Sequence, residues 1–167
     1  MKYIGAGLIW ASFLMTGLSF SERFEKRYII FEELLLMTEE ITNGICYLLL
    51  PLDEMLIGIS GNGMCKSLTF LDTFKKLTYS GVDFPEAWRQ SVFSCRLPLS
   101  KVERDKIINF GLSLGRSDSE SHKSLVKLYS LQFNTYADEA YAMKKKYSFT
   151  SVVTGLLCGG AVFILLI

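Results

Sequence analysis

A chain of 167 residues with 18 basic and 17 acidic side chains has no charge excess of the kind that nucleic-acid binding needs. Half of it is hydrophobic, yet every acidic residue and every basic one except Lys2 lies between Glu22 and Lys146, so the two ends are apolar and the middle is electrically balanced. Its single histidine and its scattered cysteines, Cys46, Cys65, Cys95 and Cys158, supply no nucleophile motif, no C-x-x-C pair and no metal set, which points to free thiols in a reducing compartment and to a non-catalytic protein without cofactor, metal or small-molecule substrate.

The first element is the uncharged run Tyr3 to Phe20, preceded by Lys2 and followed by Glu22, Arg23, Glu25, Lys26 and Arg27. A helix needs about 20 apolar residues to cross a bilayer while satisfying its own backbone. The run is longer than the roughly 7 to 15 residues of a signal-peptide core, and one lysine is a thin start for such a peptide. A retained transmembrane helix is expected over residues 1–20.

From Ser21 to about Leu50 the apolar residues Phe24, Tyr28, Phe31, Leu35, Ile41 and Ile45 return every three or four positions, with Glu25, Glu32, Glu33, Glu39 and Glu40 on the other side. This predicts one long amphipathic helix that continues the first run, since no Gly or Pro interrupts Ser21 to Thr42. No basic residue occurs between Arg27 and Lys66, so no lysine one turn away neutralises Glu32, Glu33, Glu39 and Glu40. They are either a solvated face or a docking strip for a basic partner.

Pro51 breaks the pattern, and Asp53 and Glu54 suit the first turn of a short helix reaching about Ile59. Ser60-Gly61-Asn62-Gly63 is a loop. Lys66 and Ser67 do not complete a phosphate-binding loop, because both required glycines are missing, Ser60 and Cys65 standing in their places. Leu68, Phe70, Leu71, Phe74 and Leu77 mark a third helix that stops near Ser80-Gly81, and Asp83-Phe84-Pro85-Glu86 opens a fourth, running to about Cys95 and burying Ala87, Trp88 and Val92. Leu97-Pro98-Leu99 is extended. Ser100 to Glu103 forms a capping box for a fifth helix with Val102, Ile107, Ile108 and Phe110 inside and Gly111 and Gly115 bracketing its end. Ser117-Asp118-Ser119-Glu120 opens a sixth, whose Leu125, Leu128, Tyr129, Phe133, Tyr136, Ala140 and Met143 keep helical spacing. His122 stands among polar neighbours near that start and is expected to be solvated.

Nothing stops the sixth helix before Lys144, Lys145 and Lys146, beyond which Tyr147 to Ile167 carries no charged side chain. A second transmembrane helix over 147–167 follows. Basic residues flank the spans on the side of the central segment, which places residues 21–146 in the cytosol. Gly155 and Gly159 form a G-x-x-x-G step, and Gly7 and Ala11 a small-x-x-x-small step, so the two spans can pack closely. The fold class is all-α: a six-helix cytosolic bundle, its first and last helices antiparallel, flanked by two transmembrane helices.

Leu52-Asp53-Glu54-Met55-Leu56, Phe84-Pro85-Glu86-Ala87-Trp88 and above all Phe110-Gly111-Leu112-Ser113-Leu114-Gly115-Arg116-Ser117-Asp118 resemble the stage III sporulation protein AB family, with its F-G-x-x-L-G-x-S-D segment. The chain departs from that pattern at Leu50, where the family usually has a capping Thr, and at Cys158-Gly159-Gly160, which interrupts the tail. The resemblance implies a scaffold subunit of the secretion-like channel between mother cell and forespore, seated in the mother-cell membrane facing the forespore. Its cytosolic domain would be similar to that of type II secretion F proteins. The implied partners are the sporulation ATPase, stage III sporulation protein AA, other membrane subunits and the bilayer. Gly111, Gly115, Ser117 and Asp118 need no chemistry on this reading, only a helix end and the cap of the next helix. The alternative is a tail-anchored helical adaptor whose N-terminal run is cleaved or lies on the membrane surface.

Overall fold

The computed structural model describes the backbone of residues 2–45, 51–115 and 119–166, and side chains at 22–45, 51–115 and 122–147 together with a few positions outside those ranges. Among the described residues there are six α-helices and no strand: α1 Lys2–Asn43, α2 Leu52–Gly61, α3 Phe70–Tyr79, α4 Phe84–Ser94, α5 Lys101–Leu114 and α6 Ser119–Leu166. The first and last run through both terminal apolar stretches without a break in the backbone pattern. Among the described residues no helix is long and apolar enough to cross a membrane; most side chains of Tyr3–Phe20 and Tyr147–Ile167 lie outside them.

Contacts divide the chain into two compact units, Ile29–Ala137 and the pair Met1–Tyr28 with Asp138–Ile167. Of the 21–146 segment, residues 29–137 form the larger unit, and residues 21–28 and 138–146 fall in the other. There α1 and α6 run antiparallel: Phe24 stacks on Tyr147 at 5.3 Å between ring centroids, and Tyr28 meets Tyr141 at 5.5 Å. Lys144 lies 3.1 Å from Glu25 and sits over the Tyr28 ring.

In the larger unit the burying arc of α1 is Ile30, Phe31, Leu34, Met37, Thr38 and Ile41, wider and differently phased than expected, with Leu35 only half-buried. The loop after α2 turns at Gly63, whose φ of +68° favours glycine, and α3 ends ahead of Gly81 at φ +80°. The fully buried Trp88 of α4 is the hub of the aromatic core. Phe70 and Phe74 of α3 meet it edge-on at 5.2 and 5.9 Å, and Phe84 and Phe110 approach at 6.3 Å. Phe110 in turn packs on Phe133 of α6 at 5.6 Å. Apart from the stacked Phe84–Trp88 contact, these are edge-to-face pairs that place the positive ring edge on the negative face of the neighbour.

Helix starts follow the sequence closely. Ser100 accepts from the backbone N–H of Glu103 while the Glu103 carboxylate accepts from that of Ser100 at 2.7 Å, so the capping box is complete. Pro85 sits in the first turn of α4 as its fixed φ allows, although Asp83 makes no side-chain cap bond. Three residues assigned to the core, Val102, Leu128 and Met143, are exposed.

Candidate docking surface

Glu32, Glu33, Glu39 and Glu40 of α1 do not form one stripe. Residues seven apart share a helix face, so they separate into Glu32 with Glu39 and Glu33 with Glu40. Glu33 turns toward the loop ahead of α3, where its carboxylate accepts from the backbone N–H of Ser67 at 2.7 Å, that of Leu68 at 3.2 Å and the Ser67 hydroxyl at 2.9 Å. It holds that loop against α1 and is half-buried, so it belongs to the fold and not to an open strip. No lysine was needed to engage it; backbone N–H groups from residues far along the chain did so. Glu40 stays exposed on the same side.

Cys65 is buried below Glu33, its thiol 3.6 Å from the Glu33 carbonyl. Burial first, then the charges of Glu33 and Glu40, push the thiol up to about 11, which keeps it protonated and inert as expected of a structural thiol.

Glu32 and Glu39 line an open groove of about 720 Å³ between α1 and α6. One wall is α1, where Leu35 and Leu36 stand between these two acids along the helix, and the other is α6 with Lys123 and Lys127. Leu36 is 41% exposed there. Opposite charges flanking an apolar strip can guide an amphipathic helix into one register, since the charges select orientation and the apolar contact holds it.

The glycines of the 110–118 segment have a role different from the expected one. Gly111 lies inside α5, and a methyl group there would collide with the Trp88 indole. Within a helix the carbonyl of residue i lies beside residue i+4. Without a side chain at Gly111, the Ile107 carbonyl is open to Trp88 Nε1–H, which donates to it at 2.9 Å. Gly115 follows the last residue of α5, and a Cβ there would fall 2.8 Å from Phe84 Cδ1. The two glycines thus seat α4 on α5, and only Gly115 also marks the helix end. His122 is likewise not simply solvated: its Nε2 lies 2.8 Å from the Leu114 carbonyl in the last turn of α5, where an N–H donor satisfies an otherwise open helix-end acceptor. A partner eight residues away leaves no trace in local composition.

Ser117 and Asp118, and the span-packing candidates Gly7, Ala11, Gly155 and Gly159, lie outside the described residues or have side chains that do. Among the described residues no three His, Cys, Asp or Glu side chains gather where they could hold a metal ion.

The described Ile29–Ala137 unit is compact and all-helical, with a charge-walled groove on its face. The family model for stage III sporulation protein AB matches residues 2–167, and the chain belongs to that family. Membership gives it a role in sporulation, within a family of structural proteins that is not a known family of enzymes. No curated protein and no solved structure matches the chain.

Proposed function

We propose that the chain is a non-catalytic membrane scaffold subunit of the channel apparatus between mother cell and forespore, and that its Ile29–Ala137 unit docks the cytosolic sporulation ATPase. The observation that carries this reading is a family match that extends over residues 2–167, so that it includes both uncharged terminal runs as well as the helical unit. Spans at both ends would hold the unit at the cytosolic surface, with Arg23, Lys26, Arg27 and Lys144 to Lys146 beside anionic headgroups. Glu32, Glu39 and Glu40 remain exposed and can steer a basic partner; Glu33 does not contribute, being engaged by the loop before α3.

The test is a pull-down of the full-length chain in detergent with the sporulation ATPase, alongside an alkaline phosphatase fusion after Ile167. Retention of the ATPase in a salt-sensitive manner and an active fusion are expected. An ATPase that passes through unretained ends the docking claim, and a silent fusion ends the topology.

A further inference from the structure

The groove between α1 and α6 has a counterpart on the same unit. On α4 the residues Ala87, Trp88, Ser91 and Val92 are buried, which leaves Glu86, Arg89, Gln90 and Phe93 on the outer side. Phe93 is 74% exposed, on a helix whose inner face is locked by the aromatic core. A rigid exposed aromatic flanked by charge is the kind of residue that anchors protein interfaces. Arg89 contacts Glu86 through both ends of its guanidinium, at 3.0 and 3.1 Å, and Gln90 also donates to Glu86. That cluster lies open to water, where an ion pair is worth little and is readily exchanged for another.

We propose that a second copy of this chain occupies the groove, inserting Phe93 of its α4 between the walls. The fit is one of pattern and length. Arg89 and Phe93 are four residues apart, about 6 Å along a helix, and Leu35 and Glu39 have the same spacing on the groove's acidic wall. With Phe93 over Leu35 and Leu36, Arg89 of the entering helix meets Glu39, and Glu86 meets Lys127. The exposed pair within one α4 is replaced by two pairs across the contact. The two surfaces are different patches of one chain, so the contact is head-to-tail and builds a ring or a row of copies, not a closed two-fold pair. This goes beyond the ATPase reading and does not depend on it; both partners would use Glu39 and would therefore compete for it.

The test uses the full-length chain in detergent, with two populations carrying different tags. One has Leu36→Cys, the other Gln90→Cys, which leaves Phe93 in place, and a short bismaleimide joins thiols that come together. The expected result is a cross-linked product bearing both tags, well above that from a Tyr79→Cys control, whose site on α3 is similarly exposed. Adding Arg89→Glu to both populations should abolish the excess, and adding Glu39→Arg as well should restore it, a rescue that damage to the fold would not produce. The proposal is overturned by the absence of the product, by equal yields from the Tyr79→Cys control, or by insensitivity to the Arg89→Glu reversal.

Discussion

The α4–α5 interface and the outer side of α1 are both rich in the residues that a sequence reading singles out, yet they are built on opposite terms. At the interface everything is spent inward: Gly111 is bare so that the Trp88 indole can lie on α5 and reach the Ile107 carbonyl, and Gly115 leaves room for Phe84. Along α1 a single helix does two things, with Glu33 taken up by the loop before α3 while Glu39 stays in the groove wall. Residues that make a distinctive motif can therefore serve packing alone, and unremarkable surface glutamates can differ in kind from one position to the next.

Removing the hub gives the largest expected effect. Trp88→Ala should lower unfolding stability by roughly 3 to 5 kcal/mol, as for other large buried aromatics. It strips the contacts of Phe70, Phe74, Phe84 and Phe110 at once. Denaturant unfolding of the purified chain followed by helical circular dichroism measures it, and a loss below 1 kcal/mol would mean the core is not organised around this ring.

Gly111→Ala tests the interface from its other side. The added methyl meets the indole, and overpacking of this kind costs about 1 to 3 kcal/mol. In a helix a Gly→Ala change otherwise stabilises by up to about 1 kcal/mol, so even the sign discriminates between a glycine required for close approach and one that merely ends a helix. The loss should shrink when Trp88→Phe is combined with it, since the smaller ring gives way.

These two predictions concern a contact that no local pattern displayed. The capping box at Ser100 and Glu103, the proline in the first turn of α4 and the alternation of helices with glycine loops were legible because each involves groups within four residues of one another. Glycine near a helix end usually stops the helix, but what decides the role of Gly111 is an indole 23 positions earlier. No lysine one turn away on α1 can neutralise Glu33; its partners are the N–H groups of Ser67 and Leu68, far along the chain. The acidic wall of the groove could be read from α1, but its basic wall stands on α6 and is brought opposite only by folding.

Glu33→Ala should cost about 1 to 3 kcal/mol, because three donors lose a charged acceptor in a half-buried site. Cys65 gives a companion measurement on pH. Its folded value is raised above the unfolded one, so its contribution is fully present below about pH 9 and is lost as the pH climbs toward 11, where the unfolded thiol ionises and the folded one does not. Alkylation of Cys65 in the folded chain should stay slow at pH 8 and accelerate only as the pH approaches 11; rapid labelling at pH 8 would contradict its burial.

The smallest expected effect on stability falls on the other member of the contrast. Glu39→Ala removes an exposed carboxylate from the groove wall, and a surface substitution of this sort usually stays within about 0.5 kcal/mol. Set beside Glu33→Ala, it separates two glutamates of one helix by what each touches. The discrimination comes from association: Glu39→Ala should leave unfolding unchanged while it weakens binding in the groove and flattens its dependence on salt, since an exposed charge acts over about 8 Å at physiological ionic strength. If Glu39→Ala destabilises the chain as much as Glu33→Ala, both carboxylates are part of the fold and the groove wall is not a free surface. If it changes neither stability nor association, the groove is solvated surface and the faces that bind other proteins lie elsewhere on the unit.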